Sequence, residues 1–271
     1  MAVWSKKERG EGLIASIHKR AFSLPEVLIA LGALSVLVGV LMPQLTRARR
    51  TAIQSVTASN LRTHGLVFSM YNGDYRDTWP CYVKPGLGER YLEVPSSELV
   101  IETRYMWASA LWNFALADLY YDGNPAHASF YPYDYPYGYH APELRGGSTP
   151  YVYSCSFWAD PLFWDARTRT GPEQWRATKS GEVAFPAMKI LIVSDFVSPR
   201  SLDADIRPPS PPPSDAMYGY VLCDGAVRFS TLDRVHSGVT SGDGVWTAPV
   251  HQGMGEPGRH TVLGVRGQDV R

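Results

Sequence analysis

Glu26 is the only charged residue between Leu24 and Leu45. A carboxylate inside an apolar helix costs about 2.5–3.5 kcal/mol on membrane-insertion scales. A Glu kept there therefore needs a partner, and low dielectric would strengthen their attraction. Elsewhere the reactive groups are scattered. The seven His residues are dispersed, and a lone His is more often a satisfied or surface residue than a ligand. The chain carries no Gly-rich phosphate loop, no Gly-x-Ser-x-Gly nucleophile turn and no His-Glu-x-x-His zinc pair. No enzymatic activity and no cofactor are expected on these grounds. Asp195, Asp203, Asp205, Asp215 and Asp224 crowd the C-terminal third. They are ligands of the oxygen type that calcium takes, but their spacing is not that of an EF-hand, and solvated loop carboxylates are the plainer reading.

The element that positions Glu26 is an apolar run long enough to cross a bilayer core of about 30 Å, which takes roughly 20 helical residues. Ahead of it, Lys6, Lys7, Arg9, Lys19 and Arg20 outnumber Glu8 and Glu11, a basic leader that belongs on the cytoplasmic side. A secretory signal peptide would place a small-residue cleavage site after the apolar run, whereas here the run ends in Met42-Pro43-Gln44-Leu45-Thr46-Arg47. Ala30, Gly32, Ala33 and Gly39 are small enough to let neighbouring helices approach closely. Pro43 removes a backbone donor and is expected to kink or locally open the helix. Beyond it Leu45, Ala48, Ala52, Ile53, Val56, Leu66, Val67, Met70 and Tyr71 fall on one helical stripe, interrupted by Arg49, Ser59, Asn60 and Thr63. The spacing predicts one long helix from about Phe22 to Tyr71 whose lower half packs a sheet, with Asn72-Gly73-Asp74 as its stop and Gly73 as the C-terminal cap.

Lys19-Arg20-Ala21-Phe22-Ser23-Leu24-Pro25-Glu26, followed by the apolar run, resembles the N-terminal signature of type IV prepilins and type II secretion pseudopilins. The resemblance covers about twenty-five residues. It implies that a prepilin peptidase cuts after Ala21, which stands where Gly is usual, and that Phe22 becomes a methylated N-terminus. Glu26 matches the family's acidic position five residues into the mature chain, and Pro43 falls where many pilins carry a helix-kinking proline. The partner for Glu26 would then be the amine freed at Phe22, in the same or a neighbouring subunit. The implied protein is a single-pass inner-membrane chain whose C-terminal part is periplasmic and whose helix packs against other pilin-like subunits. Pseudopilins of secretion systems also hold calcium in a C-terminal loop, which marks Asp195, Asp203, Asp205 and Asp224 as the weak metal candidates.

The expected organisation is a leader over 1–21, a transmembrane or filament-core helix over 22–45, its amphipathic continuation over 46–72 and an extracytoplasmic α+β domain over 73–271. Its 271 residues leave room for one sizeable core. Lys plus Arg equal Asp plus Glu at 26 each, so no basic face favours nucleic acid. The 16 Tyr, 8 Trp, 24 Gly and 21 Pro suit a loop-rich, aromatic fold rather than a helical bundle. Cys81, Cys155 and Cys223 show no Cys-x-x-Cys pairing, which argues against zinc. Outside the cytoplasm one disulfide could form, Cys81 with Cys155 being favoured because both flank aromatic segments; three buried thiols fit as well.

Further along, residues 75–93 read as loop. A second helix is predicted over 103–120, where Ala108, Leu111, Trp112, Ala115, Leu116 and Leu119 recur at helical spacing and Asp122-Gly123-Asn124-Pro125 ends it. The Tyr/Pro run 130–139 could stack on sugar rings, but a loop covering the sheet or facing another subunit is the simpler reading. Short strands are expected over 151–155, at the apolar run 190–193 as a central strand, and at 261–265 as a last edge. Residues 208–213 form a proline-rich loop. The clearest hairpin runs from Tyr218 to Phe229, with Asp224-Gly225 as a tight two-residue turn.

That hairpin resembles the C-terminal motif of a large group of bacterial pilin-like proteins, a His, nine intervening residues and Asp-Gly within strand-turn-strand. Ser214 stands where the His would be. Two function classes follow. The leading one is a structural filament subunit; the alternative is a membrane-anchored binding or enzymatic domain exported by the prepilin route, with the Tyr-rich or Asp-rich loops as its site.

Overall fold

A computed structural model of the chain describes residues 23–81, 90–93, 100–103, 112–124, 127–130, 149, 151–165, 167–170, 172–194, 217–236 and 261–270. The expected cleavage site at Ala21 and Phe22, the Tyr/Pro run after Phe130, the proline-rich loop, Ser214, Asp195, Asp203, Asp205 and Asp215 lie outside the described residues. Two compact units divide at Ala48 and Arg49. The fold is α+β, a 51-residue N-terminal helix packed on a four-stranded antiparallel sheet.

Helix α1 is Leu24–Asp74 and runs through Pro43 without interruption. It ends three residues later than Gly73 would have it. The left-handed residues are Arg76 and Asp77, at φ 55° and 61°. Asp77 N–H bonds Asn72 O at 2.8 Å, while Ser180 N–H bonds Asp77 O and Trp79 N–H bonds Thr178 O. The stop is thus set by tethering to the 178–180 segment and not by a glycine cap.

Strands β1 (Arg90–Glu93) and β2 (Val100–Thr103) form a small antiparallel pair. The sequence predicts loop over 90–93 and the start of a helix at Thr103, and the structure has strands at both. Val100, Ile101 and Thr103 are β-branched and favour extended backbone, a signal too short to register beside the helical periodicity that follows. Helix α2 is described over Trp112–Tyr120. It closes as expected, with Asp122 and Gly123 at positive φ and Gly123 N–H bonding back to Ala117 O at 3.0 Å.

The main sheet joins β3 (Tyr151–Tyr153), β4 (Ile190–Ser194), β5 (Met217–Leu222) and β6 (Val227–Thr231) in that order, all antiparallel. β4 is interior, as its unbroken apolar run requires, because both of its faces are covered. One face carries Tyr151, Tyr153, Ile192 and Val221 into the larger core with Leu61 and Phe68 of α1. The other carries Val152, Ile190, Val193, Tyr220 and Leu222 against Val235 and Val270. The register slips between Ile190 and Ile192, a bulge that takes Ile190 N–H out of the ladder.

The hairpin between β5 and β6 is present, but its loop has three residues. Gly225 N–H bonds Leu222 O, Leu222 N–H bonds Ala226 O, and only Gly225 has positive φ, at 84°. This is a turn through Cys223 and Asp224 closed by a left-handed Gly, not the two-residue turn with both central residues at positive φ. The Asp224 carboxylate accepts from Ala226 N–H at 2.9 Å. The expected edge strand at 261–265 is a turn followed by a 3-10 helix over Gly264–Arg266. Leu263 and Gly264 are both left-handed, which no strand allows, and the indole of Trp164 fills the space beside Gly264.

Candidate functional site

Within the first unit the candidate is the surface of α1. Every described residue from Ser23 to Ala48 is exposed, including Leu28, Ile29, Leu31, Leu34, Val36, Leu37, Val38, Val40 and Leu41. This helix is long and apolar enough to cross a membrane. Two of its hydroxyls are turned back on the helix. Ser35 Oγ donates to Leu31 O at 2.8 Å and Thr46 Oγ1 to Met42 O at 3.0 Å, the i−4 pattern that hides a hydroxyl in apolar surroundings. A methyl added at Gly32 or Gly39 would meet nothing within 4 Å.

Glu26 has a partner that sequence reasoning missed. Its Oε2 accepts from the N–H and from the hydroxyl of Ser23, each at 2.8 Å. Ser23 precedes the first helical residue and Glu26 is the third within the helix, so Ser23-Leu24-Pro25-Glu26 is a Ser-x-x-Glu capping sequence. Pro25 sits in the first turn, where a missing N–H costs nothing. The Ser-x-x-Glu signal lies inside the Phe22–Glu26 stretch that also carries the prepilin resemblance.

In the second unit the buried face of α1 is Ile53, Thr57, Leu61, His64, Gly65, Val67 and Phe68. Of the stripe predicted from hydrophobic spacing, Ile53 and Val67 are buried, whereas Leu45, Leu66 and Met70 are more than half exposed. The true face includes two polar residues and a glycine that an apolar count passes over. Gly65 allows close approach, since a Cβ there would lie 2.9 Å from Val221 Cγ2. On β5, two residues before Val221, Gly219 does the same for Leu61 and Phe229.

His64 is fully buried among rings. It stacks on Phe130 at 5.6 Å and meets Trp112 and Tyr151 edge-on at 5.0 and 4.9 Å. Nε2 lies 2.9 Å from Ser129 O and Nδ1 2.8 Å from the Tyr121 hydroxyl. A carbonyl can only accept, so the proton is on Nε2 and the Tyr121 hydroxyl donates to Nδ1. Burial pushes its pKa down to about 3, and the imidazole is neutral. The same burial raises the Tyr151 phenol to about 12. This cluster is a satisfied core with no acid–base poise near neutrality.

Just before β4 Lys189 is buried with Asp269, Nζ lying 3.0 Å from Oδ2. Thr261 Oγ1 bonds Lys189 Nζ and Asp269 Oδ1, and accepts from Ser156 Oγ at 3.0 Å. Asp269 Oδ2 also accepts from Ile190 N–H at 2.8 Å, the donor released by the bulge. Nothing in the local sequence marks this group, because its members come from three distant segments. A third polar group is half-exposed. Arg176 bonds both Glu182 oxygens at 2.6 and 2.9 Å and Asp160 Oδ2 at 2.9 Å, pinning two loops together.

No disulfide links Cys81, Cys155 and Cys223, so the favoured Cys81–Cys155 pairing is not formed. Burial raises the Cys223 thiol well above its ordinary range. Among the described residues no three His, Cys, Asp or Glu side chains converge as a metal site. Of the weak calcium candidates only Asp224 is described, and its Oδ1 is taken up by the hairpin turn. No protein-family model matches the chain, and neither a curated protein nor a solved structure shows significant similarity to it.

Proposed function

We propose that the chain is a pilin-like structural subunit of a type IV pilus or type II secretion pseudopilus. In this reading it is cut after Ala21 by a prepilin peptidase, methylated at Phe22 and polymerised through α1. It sits in the inner membrane as a single-pass protein before assembly, with residues 73–271 on the extracytoplasmic side, and it has no catalytic task. The observation that carries the reading is the exposed apolar surface from Leu24 to Leu45 with one carboxylate at its start. Water would not tolerate such a surface, whereas lipid and the apolar helices of neighbouring subunits would. The α+β architecture, with the lower part of α1 seated on an antiparallel sheet, agrees with it.

Ser23 gives Glu26 a second support. Its N–H already reaches the carboxylate, so an amine created one residue earlier at Phe22 would emerge beside that charge and could pair with it in the same subunit or the next. Replacing Ala21 by Trp tests the reading. The precursor should keep its leader, remain in the membrane fraction and be absent from sheared filaments. Processing and incorporation equal to those of the native chain would contradict it.

A further inference from the structure

The buried group of Lys189, Thr261 and Asp269 has the parts needed for a covalent bond. Lys189 and Asp269 are 0% and 1% exposed at their side chains, and Nζ and Oδ2 are 3.0 Å apart. Thr261 Oγ1 touches both reactants, bonding Nζ on one side and Oδ1 on the other. Its hydroxyl donates to the carboxylate and accepts from the amine, which makes it a proton relay between them. Ser156 Oγ and the Thr261 backbone N–H, which bonds Ser156 Oγ at 3.2 Å, hold that hydroxyl in place. Ile190 N–H points at Oδ2 from 2.8 Å, where it would stabilise negative charge developing on that oxygen during attack at Cγ. Nζ also lies over the Phe157 ring, 5.8 Å from its centroid, and within electrostatic reach of the Cys223 thiol.

From this arrangement we propose that Lys189 and Asp269 join in an intramolecular isopeptide bond, with Thr261 as the proton relay and Ile190 N–H as the oxyanion donor. The ammonium and the carboxylate become one amide and one water. The Nζ–Cγ bond forms and the Cγ–Oδ1 bond breaks. Two of the three ammonium protons leave with Oδ1 as water, passing through the Thr261 hydroxyl, and the third stays on the amide nitrogen. Oδ2 becomes the amide oxygen and keeps its bond from Ile190 N–H. No oxidant, metal or co-reactant is required.

Two physical features favour the forward direction. The buried ion pair is held at the cost of desolvating both charges, and the amide removes both. Burial also lowers the Lys189 pKa, against the opposing pull of Asp269, which brings the neutral, nucleophilic amine within reach. The bond would clamp the C-terminal segment to β4 at the bulge, where Asp269 N–H and Val270 N–H already bond Met188 O.

The test is tryptic mapping of the full chain purified in its folded form. An acylated Lys189 resists trypsin, so the expected product is peptide 180–200, uncut at Lys189, branched to the peptide that begins at Gly267 and lighter than the two together by one water. Recovery of Lys189 at a cleaved, linear terminus, with the Gly267 peptide unmodified, would overturn the proposal. Thr261→Val should leave the folded chain mostly unlinked; a folded variant as fully linked as the native chain would remove Thr261 from the mechanism. Lys189→Arg gives the fully linear map as the reference, and because the native chain decides the question, a variant that fails to fold does not affect it.

Discussion

The carboxylate of Glu26 is held by Ser23 through two donors, the backbone N–H and the hydroxyl, both at 2.8 Å. An acid satisfied in this way can stay at the head of an apolar helix, and under the proposed function the amine freed at Phe22 would then become its cationic partner.

That relationship separates two variants. Glu26→Ala should leave membrane insertion and leader removal largely intact and abolish incorporation into filaments. Ser23→Ala removes one donor but keeps the backbone N–H. It should cost the helix about 1 kcal/mol of capping and still assemble. Immunoblots of membrane and sheared-filament fractions distinguish them, and equal incorporation of both variants would remove the electrostatic role given to Glu26.

His64 makes stability depend on pH. Its pKa is about 3 in the folded chain and near 6.5 when unfolded, so between these values the unfolded state binds more protons. Stability contributed by neutral His64 is therefore present above pH 6.5 and lost as pH falls toward 3, by up to about 1.4 kcal/mol per pH unit. Chemical denaturation of the detergent-solubilised chain from pH 7 to 4 should follow that slope, and His64→Leu should flatten it. The variant should also be less stable at pH 7, since the Tyr121 hydroxyl loses its acceptor.

Gly65 and Val221 should be energetically coupled. Gly65→Ala gains about 1 kcal/mol of helix propensity but drives a Cβ to 2.9 Å from Val221 Cγ2. Val221 is stiff, fully buried and held within the sheet, so overpacking of about 1–3 kcal/mol outweighs the gain. Gly65→Ala alone should destabilise, and in a Val221→Ala background the same change should be neutral or stabilising. A double-mutant cycle measures the difference.

What could be read from the sequence divides along lines of range. The apolar run, the interior strand at 190–193 and the hairpin around Gly225 are local patterns, and the fold contains all three. The face that α1 buries was misread because it is defined by partners: Thr57 and His64 are polar, and Gly65 is chosen for its absence of bulk beside Val221. The Lys189–Thr261–Asp269 group is invisible for the same reason, since residue 189 and the 261–269 segment are more than seventy positions apart and meet only in the fold. The 261–265 segment looked like a strand by composition, yet left-handed backbone at Leu263 and Gly264 and packing against Trp164 decide otherwise.

The central claim is that scission ahead of Phe22 converts an anchored precursor into a polymerising subunit. Intact-mass and N-terminal peptide analysis of the chain recovered from filaments of its native cell tests this most directly. The account predicts a mature chain that starts at a methylated Phe22 and retains Leu24 to Leu45. A chain that still carries Met1, or one that has lost the apolar helix, would contradict it.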